Sequence, residues 1–147
     1  FVNFPMCIIV NVFVMSVFCS PNVPHRYHFV NHSKTWPEAQ SYCRQTYTDL
    51  ANINNMDEMK KLNDTLKGKS GNFVWIGLDR GDTGKWWWSL ADGSFYSVGN
   101  SYNKWSTGDP NNAVGDEFCV AMKKDTTWFD VSCSGPASSV FRSGAEG

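Results

Sequence analysis

Two amphipathic segments in the first half of the chain have the spacing of helices. In "TWPEAQSYCRQT", Thr35 precedes the helix, Pro37 lies in the first turn, and Glu38 completes a capping box. "NMDEMKKLNDTLKG" repeats this arrangement, with Asn55 as the cap and Gly68 as the stop. The pattern therefore predicts two helices. Their predicted core-facing residues are Trp36, Ala39, Tyr42 and Cys43 in the first, and Met59, Leu62 and Leu66 in the second.

Short apolar segments elsewhere have the character of β-strands. Residues 27–31 alternate and carry aromatic and β-branched side chains, whereas residues 73–78 form a continuous apolar run suited to a strand buried on both faces. Three further candidate strands are "KWWWSL", "FCVAM" and "TTWFDVSC". Residues 90–118 are mostly Gly, Asn, Ser, Asp and Tyr, and a connection of that length is commonly functional.

Composition and charge describe one folded module. The chain has 147 residues, and its 13 Lys+Arg against 14 Asp+Glu leave a formal net charge of −1. This balance gives no reason to expect a nucleic-acid partner. Aromatic residues make up 15% of the chain, including seven Trp and ten Phe, which supplies enough apolar surface for a core.

The N-terminus has the character of a targeting segment. Residues 1–20 contain no charged side chain, and the apolar run over residues 6–18 is shorter than the roughly 20 residues that cross a bilayer. A run of this length fits the core of a signal peptide, with Ser16 and Ser20 near a cleavage point. We therefore expect residues 1–20 to be a signal peptide and the protein to be secreted or extracellular. The alternative is a buried N-terminal strand.

If the protein is secreted, its five cysteines can form disulfides. Cleavage removes Cys7 and leaves Cys19 near the edge of the leader, so three cysteines lie inside the domain and one thiol lacks a partner. Secretion also makes Asn31-His32-Ser33 and Asn63-Asp64-Thr65 acceptors for N-linked glycosylation. Glycosylation at either site requires that its Asn side chain, Asn31 or Asn63, is exposed. The three cysteines of the domain are Cys43, Cys119 and Cys133.

A set of oxygen-bearing residues lies near the last two cysteines. Calcium takes six to eight hard oxygen ligands, and four side chains with water approach that number. A disulfide between Cys119 and Cys133 would bring together the two segments that carry these oxygen-bearing residues. The alternative is that they are ordinary polar turn residues, and composition alone does not decide. The four candidates are Asp109, Asn111, Glu117 and Asp130.

Sequence motifs for catalysis are absent, and one short motif suggests adhesion. The chain has no Gly-x-Ser-x-Gly motif, and no His lies in the long loop region to act as a base, so we expect no enzyme activity. The tripeptide at residues 80–82, "RGD", would suit an integrin ligand in an exposed loop, which leaves adhesion as an alternative.

Several motifs together resemble the C-type lectin-like domain family. "TWPEAQSYC", "WIGL", "WSTGDPNN", "GDEFC" and "WFDVSC" follow in the order and approximate spacing of that family, and the likeness covers residues 27–141. The resemblance implies an α+β fold for residues 21–141, with two helices packed on small antiparallel sheets and a long loop that carries one principal calcium site. It implies non-enzymatic binding of glycans or glycoproteins, because neighbouring sugar hydroxyls complete the coordination of that calcium.

The resemblance also assigns the candidate ligands. Asp109 stands where the family has Glu, while Asn111, Glu117 and Asp130 match its ligands for both calcium and sugar. An acid before the amide implies a preference for mannose-like sugars, and the intervening proline, Pro110, is expected to be cis. These four residues form the predicted metal and carbohydrate site.

Three departures from the family accompany this match. Phe129 replaces an expected Asn ligand and supplies no oxygen. Cys119 and Cys133 fit the family's inner disulfide, but Arg142 stands where a partner for Cys43 would come, and residues 142–147 form an atypical tail. The alternative function is therefore a calcium-independent domain, in which the same loop binds a protein or another ligand and Phe129 is an apolar contact. Lectins often gain avidity as homo-oligomers, and the sequence leaves the oligomeric state open.

Overall fold

The computed structural model describes residues 26–82, 84–89, 95–97 and 102–143, and within these ranges the protein has an α+β architecture. The predicted signal peptide and residues 144–147 of the predicted tail lie outside the described residues. No helix in the described part of the chain is long and apolar enough to cross a membrane. The helices are α1 (Trp36–Thr46) and α2 (Met56–Leu66). The strands are β1 (Arg26–Lys34), β2 (Asp49–Leu50), β3 (Phe73–Asp79), β4 (Trp87–Ser89), β5 (Phe95–Ser97), β6 (Cys119–Lys123), β7 (Trp128–Val131) and β8 (Ala137–Ser143).

Both helices begin at the predicted caps. Thr35 Oγ1 accepts a hydrogen bond from the Glu38 amide at 3.4 Å, and the Glu38 carboxylate accepts from the Thr35 amide at 2.9 Å, which confirms the capping box. Asn55 caps α2 by accepting from the Glu58 amide at 2.8 Å. The Glu58 carboxylate accepts from the amide that precedes the cap, so this second box is displaced by one residue. The predicted faces are buried at Trp36, Ala39, Cys43, Met59 and Leu62, and half-buried at Tyr42 and Leu66.

Strand β3 lies at the centre of the sheet. It pairs antiparallel with β4 and β6 and parallel with β8. Residues 74–78 are buried as the apolar run predicts, while Phe73 remains 36% exposed at the end of the strand. Strand β8 also pairs with β1 and β2, and Arg142 lies within it, opposite Tyr27 and Asp49. The long connection over residues 90–118 contains the additional strand β5.

Buried tryptophans fix the position of the strands that carry the candidate site. Trp75 and Trp128 are fully buried on β3 and β7, and Trp88 is fully buried on β4. The rings of Trp88 and Trp128 meet edge to face, with 5.6 Å between centroids. Because each large ring removes considerable apolar surface from water, these contacts hold β7 firmly against the core.

The cysteines follow the pairing implied by the resemblance. Cys119 and Cys133 form a disulfide with 5.1 Å between their Cα atoms, and it closes a loop with a sequence separation of 14. Cys43 has no disulfide partner within the described residues and is fully buried in α1. Burial raises the pKa of the Cys43 thiol, and the nearby charge of Asp49 raises it further. Cys43 therefore behaves as a small apolar core residue.

Candidate functional site

Strand β7 positions the acid at the centre of the candidate site. Side chains alternate along the strand, so buried Trp128 and Asp130 share one face and half-buried Phe129 and Val131 share the other. The amide of Trp128 donates to Lys104 O at 2.7 Å, and its carbonyl accepts from the Ser106 amide at 2.8 Å. These bonds fix residues 104–106 of the long connection beside β7.

Asp130 holds the turn around Pro110 by hydrogen bonds to its backbone. Its Oδ1 and Oδ2 accept hydrogen bonds from the Asn111 amide at 3.1 and 3.0 Å, and Oδ2 also accepts from the Asn112 amide at 2.6 Å. Only 5% of Asp130 is exposed. The peptide bond between Asp109 and Pro110 is cis, as the resemblance implies. The turn and the strand therefore form one hydrogen-bonded unit around a buried carboxylate.

The remaining candidate ligands hydrogen-bond inside the same loop. Asn111 Nδ2 donates to Asp109 Oδ1 at 2.6 Å, which ties together the two side chains that flank Pro110. The Glu117 carboxylate accepts from the Ala113 amide at 2.5 Å, and the Glu117 amide donates to Asn112 Oδ1 at 2.9 Å. The loop over residues 109–117 is thus closed by its own polar groups.

The donor set fits calcium in its chemistry. Three carboxylates and one carboxamide supply hard oxygens, and a carboxylate that accepts from an amide retains further lone pairs. Within the described ranges, however, no three His, Cys, Asp or Glu side chains lie close enough together to hold a metal ion. Holding an ion with all four predicted residues therefore requires the carboxylates of Asp109, Glu117 and Asp130 to come closer together.

Phe129 faces away from Asp130. Its ring packs edge-on against Phe73, with 5.5 Å between centroids, and the Lys123 ammonium lies 5.1 Å from its ring centre. Lys123 also donates to Ser106 Oγ at 3.1 Å. The residue that departs from the family pattern thus belongs to an aromatic and cationic surface next to β6.

The arginine of the tripeptide at residues 80–82 packs against two aromatic rings. The Arg80 guanidinium lies 5.8 Å from the ring centre of Trp86 and 5.1 Å from that of Phe118. Cation–π contacts of this kind hold a guanidinium against the surface. These contacts do not favour the adhesion alternative, which stays a prediction.

The two glycosylation acceptors differ in exposure. Asn31 is exposed on β1, and its Oδ1 accepts from Ser138 Oγ at 3.2 Å. Asn63 lies on α2 and is half-buried. Asn31 is therefore the more accessible of the two acceptors, and modification of either remains a prediction.

Comparison with known proteins identifies the family. Residues 32–140 match the model of the Lectin C-type domain. The chain is 36% identical to E-selectin of Bos taurus over 113 residues, which cover 74% of this chain and 22% of E-selectin. It is 38% identical to the C-type lectin lectoxin-Phi1 of Philodryas olfersii over 114 residues, which cover 74% of this chain and 70% of that protein. The chain spans about a fifth to a third of the selectins that it matches.

A solved structure agrees with this relationship. The C-type carbohydrate-recognition domain of cow CD23, determined in the presence of a GlcNAc2Man3 oligosaccharide, superposes with a TM-score of 0.71 at 26% identity. The superposition covers 84% of this chain and 90% of the CD23 domain. The relatives of this chain are lectins, which are binding proteins and not enzymes. The chain belongs to the C-type lectin domain family.

Proposed function

We propose that this domain binds glycans at the loop over residues 109–117, with one calcium ion held by Asp109, Asn111, Glu117 and Asp130. The observation that carries the proposal is the pair of backbone amides, from Asn111 and Asn112, that donate to the Asp130 carboxylate. These bonds join the acid of β7 to the turn around Pro110. Oxygen donors from two separate segments thereby lie in one polar unit, as a calcium-assisted sugar site needs.

The side chains of the turn have complementary roles toward a sugar. When bound, calcium supplies coordination positions that two neighbouring sugar hydroxyls fill. The Asn111 carboxamide can donate to a hydroxyl oxygen, and the Asp109 carboxylate can accept from a hydroxyl group. The order of acid before amide matches the family pattern for mannose-like sugars. The presence of a mannose-containing oligosaccharide with the related CD23 domain supports this preference.

Calorimetric titration of calcium tests the ion-binding part of the proposal. We expect a single site in the wild-type protein and no measurable binding by Asp130→Ala. The matched control is Asp116→Asn, which removes a charge from the same loop at an exposed residue that hydrogen-bonds Ser132. Equal calcium affinity of Asp130→Ala and wild type would refute the assigned ligand set.

Exchange of the flanking side chains tests the sugar preference. The double variant Asp109→Gln/Asn111→Asp reverses the order of acid and amide around Pro110. We expect it to lose retention on mannose-agarose and to gain retention on galactose-agarose, both in calcium. If the variant and wild type show the same order of sugar preference, the loop does not select the sugar.

A calcium-independent binding function is the second candidate, and one observation favours it. Asp109, Glu117 and Asp130 already accept hydrogen bonds from groups of the same loop, so their charges are partly satisfied without an ion. In that case the loop would bind a protein or another ligand directly. Absence of calcium heat, together with ligand binding that persists in chelator, would select this candidate.

We further infer that the protein acts outside the cell on glycoproteins. The Cys119–Cys133 disulfide supports an oxidising compartment. Expression with residues 1–20 present in a secretory cell line should release protein whose N-terminus begins near residue 21. Retention of the protein inside the cell would contradict this inference. Sedimentation equilibrium of the released protein tests whether it forms a homo-oligomer.

A further inference from the structure

A pocket with a cationic rim lies between the end of α2 and the sheet. Its volume is about 320 Å³, and it lies beside the turn over residues 68–72 that joins α2 to β3. Apolar side chains, including Phe29, Phe73 and Met122, form its wall. None of the described residues that line it is acidic, and none is a candidate calcium ligand. Its rim carries four lysines: Lys67, Lys69, Lys123 and Lys124.

Part of the positive charge at this rim has no carboxylate partner within the described residues. Lys67 lies 2.6 Å from the Asp64 carboxylate, which offsets its charge. In the part of the chain that the structure describes, Lys69, Lys123 and Lys124 form no ion pair with a carboxylate. Lys123 lies within the electrostatic influence of the Asp125 carboxylate and donates to Ser106 Oγ. Lys69 and Lys124 therefore supply the two positive charges at this rim that no ion pair offsets in the described part of the chain. Such an arrangement favours an anionic ligand.

An aromatic ring of the pocket wall, that of Phe29, lies beneath one of these ammonium groups. The Lys69 ammonium lies 5.9 Å from the ring centre of Phe29, and the Lys123 ammonium lies 5.1 Å from that of Phe129. Phe129 packs edge-on against Phe73, which lines the pocket. Phe129 is not among the residues that line the pocket, and it contacts the pocket through Phe73. A ligand with both an apolar body and an anionic group would match the wall and the rim together.

We infer that this pocket, which we name the lysine-rimmed pocket, binds an organic anion that carries a phosphate or sulfate group on an apolar body. Lysine ammonium groups bind phosphate and sulfate oxygens as point charges. The apolar body would cover Phe29 and Phe73 and remove their surface from water, which favours binding. The volume lies at the lower end of the range, about 300–1,000 Å³, of small-molecule sites. A lipid headgroup with its chain, or a free aromatic sulfate, shares this chemistry.

Titration of the full protein with 8-anilinonaphthalene-1-sulfonate, monitored by fluorescence, tests the inference. The test variant is Lys69→Met/Lys124→Met, which removes two charges from the rim and keeps unbranched apolar stems. The matched control is Lys60→Met/Lys61→Met, which removes two exposed charges from α2 outside the pocket. We expect about tenfold weaker binding by the test variant and no change in the control. Equal affinities of the test variant and wild type overturn the inference.

Two further measurements locate the ligand and identify its source. Amide chemical shifts should change in the turn over residues 68–72 and at residues 122–124, whereas changes confined to residues 109–117 would overturn the inference. Wild-type binding of the sulfonate should be the same in calcium and in chelator, so this result is independent of the proposed lectin function. Co-sedimentation with phosphatidylcholine vesicles that contain phosphatidylserine, lost in the test variant, would identify a lipid headgroup. Binding of the soluble sulfonate without co-sedimentation would identify a free organic anion.

Discussion

Replacement of Asp130 by Ala should destabilise the protein even when no calcium is present. The Asp130 carboxylate is buried, and it accepts from the Asn111 and Asn112 amides at distances between 2.6 and 3.1 Å. A hydrogen bond to a charged group contributes about 1.5–3 kcal/mol. Asn111 is exposed and Asn112 half-buried, so water replaces part of the lost bonding. We therefore expect the low end for each of the two amide donors, which gives a total loss of about 3 kcal/mol in the free energy of unfolding.

Denaturation in guanidinium chloride with a chelator present measures this effect. The variant Asp130→Asn keeps one acceptor oxygen, so we expect it to lose about half as much stability as Asp130→Ala. The control Asp116→Asn changes an exposed acid of the same loop and should lie within about 0.5 kcal/mol of wild type. Equal stabilities of Asp130→Ala and wild type in chelator would show that this carboxylate does not hold the turn.

Three other predictions concern the rest of the domain. Cys133→Ser opens the loop closed with Cys119, and we expect it to lower the free energy of unfolding by about 3 kcal/mol, measured by denaturation without reductant. Burial raises the pKa of Asp49 above its ordinary 3.8, so its stabilising contribution is present below that pH and is lost as pH rises through the folded-state pKa. Asp49→Asn should therefore flatten the fall in unfolding free energy above pH 3.8, and an unchanged slope would contradict this assignment. Because Cys43 is fully buried and its thiol pKa is raised, iodoacetamide should label it only after unfolding, as peptide mass mapping would show; rapid labelling of the native protein would contradict its burial.

Local signals in the sequence were sufficient for the helices and for the most apolar strand. Thr35 and Asn55 act as caps through bonds to residues three positions away, so their effect is visible in a short segment. The local pattern predicts none of strands β2, β5 and β8. Strands β2 and β8 depend on partners distant in sequence: β2 pairs with β8, and Ser138 and Ser139 of β8 pair with β3 in parallel register. No local pattern carries that information.

The candidate site was predicted in its residues but not in its internal bonding. The family resemblance and the spacing of Cys119 and Cys133 predict that Asp130 and Asn111 lie in one site. That Asp130 accepts from backbone amides could not be predicted, because every residue type except proline supplies the same amide. The side-chain direction of Phe129 follows from strand alternation around buried Trp128, but its contact with Phe73 depends on the pairing of three strands.

The central claim is that sugar binding at the loop over residues 109–117 depends on calcium. Chromatography of the wild-type protein on mannose-agarose tests it most directly, with calcium in the loading buffer and a chelator in the eluting buffer. The account predicts retention in calcium and complete release by chelator, with no retention of Asp130→Ala. Passage of wild-type protein through the column in calcium, or retention that survives the chelator, would contradict it.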